Sequence, residues 1–120
     1  MIITIIGSMR YSKLMCLLVE KFQSNIEDCI IFAPCMCNTV IYGNENIKYI
    51  NDIELNNLKT KHMKLIEISD YVLCIDYHIG ESTKDELKYA KKLKKIIINL
   101  SEIVHYFKDD NFIMKAIKGD

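Results

Sequence analysis

Hydrophobic residues along the chain follow two alternating rhythms: short unbroken runs, and longer stretches where they recur every three or four positions. Residues 2–6 form the first run, Ile2, Ile3, Ile5 and Ile6 around Thr4, closed by Gly7. Such a β-branched run predicts a strand buried on both faces, as in a parallel sheet. Ser8 then offers a helix N-cap. Leu14, Leu17, Leu18 and Phe22 follow at helical spacing, with Lys13, Glu20 and Lys21 on other faces.

The alternation continues. Residues 29–33 make a second apolar run, stopped by Pro34, the chain's only proline. Residues 35–46 show no period, and Gly43 with its neighbouring asparagines predicts a loop. From Asp52, the positions of Ile53, Leu55, Leu58, Leu65 and Ile68 suit a helix, and residues 71–75 predict a third strand. A helix over about residues 82–93 leads to a fourth strand at 95–100 around Ile96, Ile97 and Ile98. Short helices are expected near residues 103–107 and 112–117.

Strands alternating with helices through short connections predict an α/β domain, a parallel sheet covered by helices on both faces. Ligands of such sheets sit beyond the carboxyl ends of the strands, where the strand order reverses. That rule selects two loops: Gly7-Ser8-Met9-Arg10, and residues 76–83 after the third strand.

Composition narrows the partners. A chain of 120 residues, half of them hydrophobic, supports one core, hence one domain over residues 1–120. Sixteen basic residues balance sixteen acidic ones, so no overall field holds a nucleic acid polymer or an anionic membrane. The apolar N-terminal stretch is too short for a signal peptide or a membrane span. The five cysteines are an odd number, and Cys16 and Cys74 lie in apolar runs where a thiol acts as a small core hydrophobe. Reduced thiols and a cytoplasmic location are the expectation. Cys35-Met36-Cys37 has no second cysteine or histidine pair beside it, so no metal site is expected.

Both loops carry candidate chemistry. Gly7 permits close backbone approach, the following helix turn offers free N–H groups to an anion, and Arg10 is suited to a bidentate phosphate contact. The same residues also read as a turn, a cap and a solvated charge. Ile5 and Ile6 stand where a response-regulator receiver has acids, a flavodoxin's longer Ser/Thr/Gly-rich phosphate loop is missing, and no P-loop motif occurs. In the second loop Asp76, Gly80, Ser82 and Thr83 precede Glu86, which shares a helical stripe with Ala90 and Leu93. In the first turn of a helix, Glu86 would be kept ionised by the helix dipole. Thr83-Lys84-Asp85-Glu86 is equally a capping box in which the glutamate only closes the helix end.

Gly7-Ser8-Met9-Arg10, His62 eight residues before Asp70, and the segment YVLCIDYHIGESTKDELKY at residues 71–89 together resemble the nucleoside 2-deoxyribosyltransferase-like proteins. The small bacterial and phage branch is the most similar, with its GSMRF opening and YIGEST..E..YA segment. The likeness covers the first strand and helix and about residues 62–100, and is weak through residues 29–61. It implies a flavodoxin-like three-layer sandwich with a four- to five-stranded parallel sheet. It also implies that Glu86 attacks the anomeric carbon of a nucleoside or nucleoside 5′-monophosphate, forming a glycosyl ester resolved by a second base or by water. No cofactor is called for. A non-catalytic nucleotide-binding or sensing module of the same fold is the alternative. The chain departs from the family where characterised members have aspartates, at His62 and, for many transferases, at Gly80, and His78 replaces the usual tyrosine. His62 can act as an acid or base, or can be a packed or solvated histidine. A homo-oligomer is natural for the family, with Phe112, Ile113, Met114 and Ile117 as a candidate interface; a helix covering the sheet explains the same residues.

Overall fold

A strand with no polar face must sit in the middle of a sheet and be covered twice, and this is where Ile2–Ile6 lies. The structure, a computed structural model, describes residues 1–35 and 51–118. β1 (Ile2–Ile6) leads through a 3₁₀ turn (Met9–Tyr11) into α1 (Ser12–Asn25), then β2 (Ile30–Phe32). After residues 36–50 come α2 (Asp52–Ile68), β3 (Tyr71–Cys74), α3 (Glu81–Lys92) and β4 (Ile96–Asn99). The chain ends in α4 (Leu100–Ile103), a second 3₁₀ turn (Val104–Phe107) and α5 (Asn111–Ile117). The sheet order is β2-β1-β3-β4, all parallel, with Ile3 paired to Ile31 on one side and Tyr71 on the other. This is a flavodoxin-like three-layer arrangement, with four strands among the described residues.

Alternation along β1 divides the core. Ile3 and Ile5 face α1 and α5, packing with Leu14, Met15, Leu18, Leu73 and Ile113. Ile6 faces the other way, with Val72, Cys74, Ile66 of α2 and Ala90 of α3. Thr4, the polar residue in the run, is fully buried on this second face. Its hydroxyl lies 2.5 Å from Ser69 Oγ and donates to the Leu65 carbonyl at 3.2 Å, so the end of α2 is tied to the centre of the sheet.

Several expectations change. Cys74 is buried as expected, but Cys16 is exposed, because it lies on the outer side of α1. Ile53, Ile68 and Leu93 are exposed, and the buried residues of α2 are His62 and Ile66. The predicted loop at residues 35–46 lies outside the described residues apart from Cys35. In α5, Ile113 and Ala116 are buried in the core that faces α1, the arrangement of a helix covering the sheet, while Phe112 is exposed. Among the described residues no helix is long and apolar enough to cross a membrane.

Side chains close the starts of two helices, α2 and α5. Asn51 and Glu54 form a reciprocal capping box at the start of α2, with Glu54 N donating to Asn51 Oδ1 at 2.9 Å. Asp110 caps α5 through Ile113 N at 3.0 Å and pairs with Lys21 of α1 at 2.9 Å. The backbone donor first, and Lys21 second, hold the Asp110 carboxyl below its ordinary value.

Two outcomes follow from these caps. Asn51→Ala lowers the unfolding free energy by about 1 kcal/mol, measured by urea denaturation. For Asp110, a depressed folded-state value means that its stabilisation is present above the unfolded-state value and lost as pH falls through the folded-state one. Asp110→Asn retains a cap acceptor but loses the charge; its Tm falls below that of the native chain at pH 7, and the two Tm values converge on acidification.

Candidate functional site

The cavity at the carboxyl ends of β1 and β3 has a volume of about 370 Å³. Its floor is Gly7-Ser8-Met9, one wall is the start of α3 with Gly80, Ser82, Thr83 and Glu86, and the opposite wall is α2 with Leu55, Leu58, Lys59 and His62. Pro34 and Cys35, following β2, complete the described rim.

Two charged-group candidates meet in its wall. His62 Nδ1 lies 2.8 Å from Glu86 Oε2, and both side chains are largely buried. Oε2 is wholly enclosed and this ion-pair contact is its only polar partner among the described residues. The other ring nitrogen, Nε2, lies 3.0 Å from the carbonyl oxygen of Ile5. A carbonyl only accepts, so Nε2 carries a proton and donates it. Nδ1 then faces the Glu86 carboxyl at ion-pair distance.

The Ile5 carbonyl is available because of the register of the neighbouring strand. Successive carbonyls of a parallel strand point to alternate neighbours. Ile2 and Ile6 serve the β3 side, accepting from Asp70 and Ile75, whereas Met1 accepts from Ile30 of β2. Stepping two residues at a time along this ladder brings Pro34 opposite Ile5, and proline has no N–H to give. His62 supplies the missing donor.

Helix α3 begins one turn earlier than the T-x-x-E pattern suggests. Its N-cap is Gly80, without a side-chain cap bond, so Thr83 lies inside the first turn and Glu86 in the second. Glu86 therefore closes no capping box with Thr83 and lies beyond the first turn, where the helix dipole is strongest. Its charge is felt nearby: burial, then the Asp76 and Glu86 carboxylates, push the Cys74 thiol up to about 11.

Gly7, Ser8, Met9, Gly80, Ser82, Thr83, His62 and Glu86 line one cavity, as their selection from the two loops and α2 anticipates. Arg10 and Asp76 do not. Arg10 is exposed beyond the 3₁₀ turn. Asp76 is committed elsewhere: its Oδ1 accepts from Ser101 N at 2.9 Å and its Oδ2 pairs with the Ser101 hydroxyl, fixing the start of α4. Gly7 also serves packing, since an added Cβ would approach Ile75 Cβ to 3.1 Å and Met15 Cε to 3.2 Å. At Gly80 nothing lies within 4 Å of that position. Leu55, Leu58 and Lys59 were missed, although they form a helical stripe with His62 that the spacing reveals.

Compared with known proteins, the chain matches no protein-family model, no curated protein and no solved structure.

The two glycines should respond oppositely to a side chain. Gly7→Ala is expected to lower stability by about 1 kcal/mol or more through overpacking. Gly80→Ser, which adds an N-cap acceptor in open space, should raise it by a few tenths of a kcal/mol, roughly. Parallel urea titrations measure both.

Proposed function

We propose that the chain cleaves or transfers at the N-glycosidic bond of a nucleoside or nucleoside 5′-monophosphate, with Glu86 as nucleophile. The observation that carries this reading is the Glu86–His62 pair in the wall of a cavity at the carboxyl edge of a parallel sheet. The resemblance of residues 7–10 and 71–89 to nucleoside 2-deoxyribosyltransferase-like proteins points to the same glutamate. The cavity is of small-molecule size. Met9, Leu55 and Leu58 offer apolar surface for a base, and Ser8 and Ser82 offer hydroxyls for a sugar.

In this reaction the Glu86 carboxylate bonds to the anomeric carbon while the carbon–nitrogen bond breaks and its electron pair leaves with the base. Water or a second base then attacks the same carbon, and the electron pair of the ester bond returns to Glu86. The carboxylate also stabilises the oxocarbenium-like transition states on either side of the ester. For a 5′-phosphate, Lys59 is the lysine in the cavity wall, whereas Arg10 lies outside the lining.

A second reading, a nucleotide-binding or sensing module without turnover, is favoured by one feature: an oxygen of Glu86 is already engaged by His62. The two readings part in one experiment. The chain is incubated with nucleosides and their 5′-monophosphates, with and without a second free base, and base release is followed by chromatography. Release that is lost in Glu86→Gln, with the fold retained by circular dichroism, supports the enzyme. Calorimetric binding of a nucleotide without any release supports the module.

A further inference from the structure

The position of His62 argues against one role and for another. In a displacement at the anomeric carbon the nucleophile and the departing base occupy opposite sides. A nitrogen 2.8 Å from the carboxylate oxygen is on the nucleophile's side. Its partner nitrogen is held by the Ile5 carbonyl, so the ring cannot turn without breaking that bond as well. His62 therefore has no path to the glycosidic nitrogen while both contacts persist.

We propose that His62 is the resident counter-ion of Glu86 and that its role is to hasten breakdown of the glycosyl-enzyme rather than to protonate the base. This deepens, and rests on, the reading of Glu86 as nucleophile. On this account Nδ1, 2.8 Å from the carboxylate, carries the second ring proton. That ion-pair contact exists before attack and after release. Between them Glu86 is an ester, its Oε2 a neutral carbonyl, and the Nδ1 proton faces a much weaker acceptor. The pair thus favours both states with a free carboxylate over the ester between them. Attack is slowed, expulsion of Glu86 is eased, and the ester does not accumulate. Nδ1 keeps its proton throughout; the departing base takes its proton from solvent, and the attacking water gives one back. His62 is on this account a positioning residue, oriented by a carbonyl that Pro34 leaves free.

The test uses a substrate found by the base-release panel, with single-turnover quenching and intact-mass measurement. The native chain should release base without a burst and show an unmodified mass. His62→Gln retains reach to the Ile5 carbonyl but presents neither charge nor donor to Glu86. It should release about one equivalent of base in a burst, and its steady-state rate should then fall roughly ten- to a hundred-fold, the scale expected for loss of one close buried ion-pair contact. The quenched protein should carry the sugar on the peptide containing Glu86. His62→Asn, with a neutral N–H near the place of Nδ1, should show a smaller change in the same direction, and it serves as the probe if His62→Gln fails to fold. A burst already present in the native chain overturns the proposal. So does a variant whose first turnover and steady state fall together without an adduct, or one with unchanged kinetics. A native chain that releases no base from any member removes the underlying reading as well, and is recognised by its silence before any variant is compared.

Discussion

Burial of β1 on both faces is the constraint from which the rest of the structure follows. A strand with Ile2, Ile3, Ile5 and Ile6 in five positions needs partners on both edges and helices on both sides. Parallel neighbours require crossovers, and the crossovers are the helices that supply the cover. The same strand also orders the polar groups at its end. Its ladder to β2 ends at Phe32, and Pro34, two residues on, has no N–H to continue it, so the Ile5 carbonyl is satisfied from outside the sheet. A buried backbone carbonyl left without a donor costs about 1–3 kcal/mol, so a donor there is a structural need before it is a functional one. His62 meets that need and, in doing so, presents its other nitrogen to Glu86.

The two helices that bring the pair together pack on one face of the sheet, and the polar ties around them set their positions. Thr4 and Ser69 anchor the end of α2 to β1. Asp70 closes the turn before β3 by accepting from Ile2 N at 2.8 Å. Asp76 fastens the end of β3 to the start of α4, which leaves the intervening loop to deliver Gly80 and α3 to the cavity. The His62–Glu86 contact thus joins two helices whose packing on the sheet brings the residues together. This is what a site built on helices, instead of loops, achieves.

Much of this was legible in the sequence, and the misses have physical causes. Short apolar runs identified all four described strands, and in β1, the one buried on both faces, the single polar residue is Thr4, whose hydroxyl is satisfied internally. The two loops were found from the parallel-sheet rule, and most of their residues do line one cavity. Asp76 and Arg10 lie outside the lining, since an acid or a base at the end of a strand looks alike in sequence whether it faces a ligand, a helix terminus or water. Cys16 was placed inside because its neighbours are apolar, yet at helical spacing it falls between the buried positions Met15 and Leu18 and points out. The Ile5–His62 bond was invisible, because it depends on a ladder register that no local pattern encodes.

The competing capping patterns show most clearly where local reading stops. Asn51-Asp52-Ile53-Glu54 and Thr83-Lys84-Asp85-Glu86 both match the reciprocal box, and only the first forms it. At residue 83 the tertiary fold takes precedence: the helix starts at Glu81, Thr83 is buried, and its position three residues before Glu86 becomes a helix-interior spacing instead of a terminus. Glu86 is thereby moved beyond the first turn, away from the strongest part of the helix dipole, and toward α2. There it meets His62, a residue 24 positions earlier in the chain. A carboxylate at a helix terminus would be stabilised by a fixed backbone field. One in the second turn, facing an imidazole from another helix, has its surroundings set by tertiary packing instead.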